Sequence, residues 1–289
     1  MAREFGFAER VEQALLTDFR EPIWRPFMRA VREYRLIAPG DRIAVCVSGG
    51  KDSMLLAVLM RLLQRHSEAP FEAVCLVMDP GYRPEIRRQV EETAARLAIP
   101  AEIFDSDVFE ASESAMGGAD RRPCFMCARM RRGCLYKKAR ELGCNKIALG
   151  HHFDDVVETT VMAMLHGGQI QGMPPMLAAQ NFPGMRLIRP MYRVHEDAVI
   201  AWRDAFGLDF IRCACRFTEK ADAGASKRLA VKKLLAELEK DDPKVRQNVF
   251  NSVHRVQLDT MVGWKYLGEE HSFLERFEEQ PTRKGGTGI

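Results

Sequence analysis

The chain has 289 residues, of which 46% are apolar and 29% charged, and a formal net charge of +3. This balance excludes a disordered or membrane-spanning chain, and the net charge is too small to indicate a polyanionic partner by itself. The first residues, MAREFGFAER, lack the apolar core of a secretory signal, and the apolar run MLLAVLM is far shorter than a spanning helix needs. We expect a cytoplasmic protein without membrane contact, whose eight cysteines are reduced, ligating or reactive rather than disulfide-bonded.

Strand and helix signals alternate along most of the chain. Five short segments rich in apolar and β-branched residues predict strands, in chain order: RIAVCV, EAVCLVM, AEIFDS, NKIALG and MRLIRPM. Segments with apolar residues at helical spacing follow them, such as PEIRRQVEETAARLAI and DVVETTVMAMLHG. The alternation predicts an α/β fold with an open, mostly parallel sheet of about five strands and helices on both faces.

Helical regions are expected on either side of this sheet. We predict a helical N-terminal extension over residues 1–40, a catalytic α/β domain over 41–220 and a helical C-terminal region over 221–289. From about Ala225 onward only helix signals are found, with an interruption at Asp241 to Pro243. The tail QPTRKGGTGI is predicted to be disordered.

The strongest chemical signal is SGGKDS (Ser48 to Ser53), between the first predicted strand and a helix. Backbone N–H groups and the helix dipole converge on an anion at such a junction, and the two glycines allow a tight turn. Lys51 offers a point charge, and Asp52 an anion that could hold magnesium. An ordinary turn is the alternative. The motif is not the usual P-loop, because Val45 stands where that motif requires glycine.

Four segments together resemble a known family: GDRIAVCVSGGKDSMLL, NKIALGHHFDD, GMPPML and IRPM. The loop is similar to that of the PP-loop ATP pyrophosphatase superfamily, and the set is similar to its tRNA-thiolating branch, nearest to the tRNA 2-thiocytidine synthetases. The likeness covers about Leu36 to Arg255. It implies a PP-loop domain that cleaves ATP between the α and β phosphates and adenylates a carbonyl oxygen of a pyrimidine.

The second motif of this set, GHHFDD, ends the fourth predicted strand. Ligands of open parallel sheets lie where the strand order reverses, so neighbouring strands would bring both motifs to one crevice. We expect His151 and Asp155 to line the nucleotide pocket and Asp154 to help hold magnesium; helix capping by both aspartates is the alternative. Asp79, after the second strand, is expected beside the adenosine or in a turn. The predicted ATP contacts are Ser48, Gly49, Gly50, Lys51, Asp52, Ser53, Asp79, Gly150, His151 and Asp155.

Two groups of cysteines stand outside the predicted core. Cys124 and Cys127 form a CxxC pair near a helix start, a spacing that suits one metal site or a redox pair. Cys134 lies two turns, roughly 10 Å, further along, too far for the same ligand shell. Cys213 and Cys215, in IRCACRF, would point to opposite faces of a strand, so only one of them is expected to join the pair.

The resemblance implies that Cys124, Cys127 and Cys213 hold a [4Fe–4S] cluster that carries the transferred sulfur, and that Lys51, Asp52, Asp154 and Cys213 are the catalytic residues. Members of the family typically carry a second CxxC where this chain has CAC followed by RFTEK. This departure leaves Cys215 as the alternative to Cys213 for the third ligand. Spacing alone also suits structural zinc, which would be expected if four cysteines closed the site.

Basic segments bear on the partner. Residues 121–140 contain eight cationic and no acidic side chains, and Lys227, Arg228, Lys232 and Lys233 add a second patch. Such runs are usually solvated helix faces, but beside a cluster they would also attract a phosphate backbone. We expect tRNA across the catalytic body, with a cysteine-desulfurase-derived persulfide or free sulfide as sulfur donor and a homodimer as a possible assembly. A lysidine-type ligase and a nucleotide-binding redox sensor are the alternatives.

Overall fold

The computed structural model describes residues 5–106, 123–211 and 227–278. Cys213, Cys215 and the C-terminal tail lie outside the described residues. Of Cys124 and Cys127 only the helical backbone is described.

A six-stranded sheet with the order β3-β2-β1-β4-β6-β5 forms the centre of the fold. Its strands are β1 Arg42–Val47, β2 Glu72–Asp79, β3 Ala101–Asp105, β4 Lys146–Ala148, β5 Met176–Ala178 and β6 Arg186–Ile188. All neighbours are parallel except β5 and β6, which are antiparallel. The predicted mostly parallel sheet is confirmed, and the count of about five strands is corrected to six. The additional strand was missed because it is a three-residue edge strand without an apolar alternation.

Helices flank the sheet and form both termini of the described chain. They are α1 Phe7–Leu16, α2 Arg25–Glu33, α3 Lys51–His66, α4 Pro84–Arg96, α5 Pro123–Glu141, α6 Phe153–Gly167, α7 Glu196–Ala205, α8 Lys227–Asp241, α9 Val245–Ser252 and α10 Glu275–Glu278. A π-helical turn at Arg20–Trp24 precedes α2, and a 3₁₀ turn spans Leu258–Thr260. No helix among the described residues is long and apolar enough to cross a membrane.

The central strand β1 explains why both faces of the sheet are covered. Successive side chains of a strand point to opposite faces. Ile43, Val45 and Val47 therefore join one apolar cluster, which includes the fully buried side chains of α3. Ala44 and Cys46 join a second cluster, with Tyr136 and other α5 side chains. A strand that is buried on both faces is an unbroken apolar run, which is the pattern of RIAVCV.

The C-terminal region differs in part from the prediction. Helices α8 and α9 pack on α6, with Val231, Leu235 and Phe250 buried against Phe153 and Val157. After them the chain forms a hairpin of β7 Gly263–Tyr266 and β8 Glu269–Ser272 instead of further helix. The turn between these strands has positive φ at both central residues, Leu267 and Gly268, which matches the right-handed twist of a tight hairpin. The expectation of helix alone after Ala225 is therefore wrong. The strands of the hairpin are mostly exposed and polar, so the sequence lacks the alternation of apolar residues that predicts a strand.

Candidate active site

The two sequence motifs meet at the point where the strand order reverses. β1 and β4 are parallel neighbours, so the loop after β1 and the loop after β4 leave the sheet at one edge. The approach is close at Gly150: a Cβ atom there would lie 3.0 Å from the carbonyl carbon of Asp52 and 3.1 Å from the backbone nitrogen of Ser53. Glycine at 150 therefore lets the second motif lie directly against the first, as the topology predicted.

The loop of residues 48–53 is held in shape by its own serines. The backbone N–H of Ser48 donates to Ser53 Oγ (3.0 Å), which in turn donates to the carbonyl of Gly50 (2.9 Å). Gly49 has φ +84°, the left-handed region that favours glycine. Helix α3 begins at Lys51, and no described side chain caps it. The N–H groups of its first turn and its dipole are thus available to an anion.

A cavity of about 360 Å³ lies in front of this loop. That volume falls within the range of small-ligand sites. Among its lining residues are Ser48, Gly50, Asp52, Ser53, Met78, Arg131, Arg132, Leu135, Gly150, His151 and Asp155. Both motifs and the basic helix α5 therefore face one pocket, with apolar walls from β2 and α5. Two arginines bring positive charge to a pocket whose floor is a helix N-terminus, which suits a phosphorylated ligand.

Asp79 has the turn geometry that the sequence offered as its alternative role. Its Oδ1 accepts hydrogen bonds from the backbone N–H groups of Gly81 (2.8 Å) and Tyr82 (2.6 Å), and Oδ2 pairs with Arg87 at 3.0 Å. The carboxylate is buried. Its role is therefore to shape the β2–α4 turn, and a contact with adenosine stays a prediction.

Asp154 has partners on both carboxylate oxygens. Oδ2 accepts the backbone N–H of Glu196 (2.7 Å), and Oδ1 lies 3.1 Å from Nη1 of Arg246 on α9. Asp52, in contrast, lines the cavity. Lys51 Nζ donates to its Oδ2 (3.1 Å) and lies 3.0 Å from Oδ1, which accepts no hydrogen bond from the described residues. Between the two acids predicted to hold magnesium, these contacts favour Asp52.

Asp155 and Glu158 on α6 share one arginine from the C-terminal region. Arg228 places Nη2 2.6 Å from Asp155 and Nε 2.7 Å from Glu158. Burial alone would raise the pKa of Asp155, but the charges of His152 and Arg228 hold it below its ordinary value. Asp155 is therefore an anion in the pocket wall, and the cation of Arg228 balances its charge.

His151 lies in the cavity as a neutral imidazole. Burial lowers its pKa to about 4, and the charges of Arg189 and Arg228 act in the same direction, outweighing Asp155. Its buried Nδ1 has no hydrogen-bond partner among the described residues. A neutral ring with a free nitrogen can accept or donate a hydrogen bond to a bound ligand without adding charge.

The low pKa of His151 predicts a specific acid sensitivity. Since the ordinary pKa is 6.5 and the folded value about 4, the unfolded chain takes up a proton that the folded chain refuses as pH falls through this window. The free energy of unfolding should therefore fall below pH 6.5, with a limiting slope of about 1.4 kcal/mol per pH unit, and level off below pH 4. Urea unfolding of the protein and of His151→Gln from pH 7.5 to 5 measures this slope.

Above pH 5 the titration of His151 affects the free energy of unfolding separately from the titration of the acids of the site. The pKa values of Glu196 and Asp155 are lowered from 4.5 and 3.8, so their contributions to stability are lost only below those values. His151→Gln should flatten the dependence between pH 6.5 and 5. Equal slopes in the two proteins would contradict a neutral, buried His151.

Several residues that sequence reasoning did not assign to the site contribute to it. Glu196 pairs with Lys51, Arg246 pairs with Asp154, and the helix α8 side chains Arg228 and Lys232 pair with site acids rather than lying free as a surface patch. The available signal was weak: Glu196 follows the IRPM segment and begins a helix. The sequence alone places the cationic residues of α8 in a basic patch, which predicts an RNA contact instead.

Comparison with known proteins assigns the fold and family. The PP-loop domain family matches residues 23–215. A tRNA-cytidine(32) 2-sulfurtransferase of Syntrophotalea carbinolica is 38% identical over 232 residues, covering 79% of this chain and 86% of the relative. One from Geobacter metallireducens is 37% identical over 233 residues, covering 79% and 87%.

A solved structure shares the architecture. The U34-tRNA thiolase NcsA from Methanococcus maripaludis, determined with its [4Fe-4S] cluster, superposes with a TM-score of 0.64 at 21% identity, covering 83% of this chain and 80% of that one. This likeness shows the fold, and the relatives above show the closer kinship. The loop at the end of β1, the crevice beside β4 and the extent of the matches together establish that the chain belongs to the PP-loop family and, within it, to the tRNA-cytidine(32) 2-sulfurtransferases.

Proposed function

We propose that this protein is an ATP-dependent sulfurtransferase that adenylates the 2-carbonyl oxygen of a cytidine in tRNA and replaces that oxygen with sulfur. The observation that carries the proposal is that one cavity is lined by the loop of residues 48–53, by the second motif and by helix α5. Helix α3, which begins in that loop, has no side-chain cap among the described residues. An ATP-cleaving loop and a cysteine-bearing helix around one pocket are what a coupled activation and sulfur transfer require. The names of the relatives supply the choice of cytidine.

The donor set fits a [4Fe–4S] cluster held by Cys124, Cys127 and Cys213. Three thiolates leave one iron without a protein ligand, whereas a closed zinc site would use four donors. Cys127 lies about one turn before Arg131, which lines the cavity. Ile211, two residues before Cys213 in the sequence, lies at the ATP loop: its Cδ1 would lie 2.6 Å from a Cβ atom at Gly49. The positions of Arg131 and Ile211 support a cluster beside the ATP loop; Cys215 is the alternative third ligand.

The residues of this chain perform the activation step. Backbone N–H groups at the start of α3 bind the phosphates, and Lys51 and Asp52 supply a cation and a magnesium-binding carboxylate. The carbonyl oxygen of the base attacks the α-phosphorus, and pyrophosphate leaves. The oxygen, a poor leaving group by itself, is now part of AMP, which is a good leaving group. His151, neutral and facing the cavity, hydrogen-bonds the bound ligand without adding charge. When bound, the cluster supplies the sulfur that replaces the oxygen as AMP departs.

The same proposal includes the partners. tRNA lies across the catalytic body, with its phosphates near the arginines of α5. Free sulfide supplies the sulfur atom directly, whereas a persulfide from a cysteine desulfurase supplies it together with two electrons from a thiol reductant, which is oxidised to a disulfide. A cytoplasmic location gives access to tRNA.

The test is thiolation of a defined tRNA under anaerobic conditions. Protein with about four irons and four sulfides per chain, given MgATP, sulfide and a transcript with cytidine at position 32, should form a 2-thiocytidine nucleoside detected by mass spectrometry. One pyrophosphate should be released per thiolated base, and a transcript with adenosine at that position should remain unmodified. An iron-free protein that binds zinc, or a product that has gained an amine instead of sulfur, would contradict the proposal.

A further inference from the structure

Glu196 is a half-buried acid at the ATP loop that the family motifs do not include. It is the first residue of α7, and its backbone N–H donates to Asp154 Oδ2 at 2.7 Å. Only 17% of its side chain is exposed. This hydrogen bond fixes the backbone position from which the Glu196 side chain extends. Because it is made by the main chain, any substitution at 196 except proline would keep it.

The carboxylate of Glu196 joins two lysines from different parts of the chain. Oε1 lies 3.1 Å from Nζ of Lys51, the lysine of the ATP loop, and Oε2 lies 2.5 Å from Nζ of Lys232 on α8. The Lys51 ammonium lies between two anions, since Asp52 Oδ1 is 3.0 Å away on its other side. Lysine has four rotatable side-chain bonds, and these contacts restrict them to one arrangement.

Charge makes this arrangement persistent. Burial would raise the pKa of Glu196, but the hydrogen bond from Lys232 and the charge of Lys51 lower it to about 2. Glu196 therefore remains charged throughout the neutral range. The side chain of Lys51 is largely buried, at 19% exposed, so this pairing is less screened than a surface salt bridge.

We propose that Glu196 is a positioning residue for ATP cleavage, which holds the ammonium of Lys51 beside the loop where charge develops on the phosphates. The inference rests on the proposed function and adds to it a residue outside its motifs. A lysine that is already placed need not be ordered during the reaction, so its contribution is larger in the transition state than in ground-state binding.

A kinetic comparison of Glu196→Gln with the parent protein tests this role. Glutamine keeps the size and the main-chain hydrogen bond but lacks the charge. We expect kcat for tRNA-dependent pyrophosphate release to fall about 10- to 100-fold while KM for ATP changes less than about threefold. Asp197→Asn, at the neighbouring exposed acid of the same turn, is the matched control and should keep parental kinetics. Thermal unfolding of each variant checks that α7 is intact.

A double variant separates positioning from a purely structural role. If Glu196 acts through Lys51, adding Glu196→Gln to Lys51→Ala should lower kcat no further than Lys51→Ala alone. Parental kcat in Glu196→Gln, an increase confined to KM, or a multiplicative loss in the double variant would overturn the inference. If the parent protein releases pyrophosphate without thiolating tRNA, the proposed function fails while this comparison still decides the role of Glu196.

Discussion

Replacing Lys51 by alanine is expected to lower kcat for tRNA-dependent pyrophosphate release by about 10²- to 10³-fold, the usual loss when one preorganised charge-stabilising group is removed. Lys51 begins α3, and its ammonium is held within 3.1 Å of carboxylates on both sides. It is the cation that the ATP loop itself contributes. Steady-state kinetics with MgATP, sulfide and tRNA measure the loss, and tRNA thiolation should fall in parallel because sulfur transfer follows activation.

The controls for Lys51 address charge and folding. Removing the lysine leaves the negative charges of Asp52 and Glu196 with one cation fewer, although Lys232 stays 2.5 Å from Glu196. The stability of each variant should therefore be measured by thermal unfolding alongside the kinetics. Lys51→Met keeps the aliphatic stem and should lose activity as Lys51→Ala does. Lys240→Ala, at an exposed lysine near the end of α8, should leave the rates unchanged. Unaltered pyrophosphate release in either Lys51 variant would remove this residue from the mechanism.

The centre of the site was predictable because strand order and local sequence agree. RIAVCV is apolar at every interior position, as a strand covered on both faces must be, and the glycine pair after it marks a tight turn into a helix. The same reasoning placed Gly150 and the motif around it at the end of β4. Once parallel β1 and β4 are neighbours, the convergence of the two motifs follows from topology.

The outer part of the site depends on contacts that no local pattern encodes. Glu196 lies 42 residues beyond Asp154, and Arg246 lies 92 residues beyond it, yet all three meet in the structure. Charged residues on amphipathic helices usually face solvent, so Arg228 and Lys232 resemble a surface patch in the sequence. Their pairing depends on how the apolar side of α8 packs on α6, through Val231 and Leu235.

The largest effect is expected at the three cysteines assigned to the cluster. Alanine at Cys124, Cys127 or Cys213 should reduce iron from about four per chain to less than about one. tRNA thiolation should fall by more than about 10³-fold, as when a reaction loses its nucleophile. Pyrophosphate release in a single turnover should persist, because the ATP loop and the second motif contain no cysteine. Iron analysis, visible absorption and nucleoside mass spectrometry on anaerobically purified variants measure these effects.

Two further cysteines make this prediction specific. Cys134 lies on the same helix, half-buried beside Met78 and Leu135, so Cys134→Ala should keep both iron and thiolation. Cys215→Ala should do the same if Cys213 is the third ligand, and the opposite pattern would reassign that ligand to Cys215. Full activity in all three cluster variants would instead support an ATP-dependent ligase that needs no sulfur. Loss of thiolation with retained activation would separate the two half-reactions, and would show that α5 and the ATP loop serve different steps at one cavity.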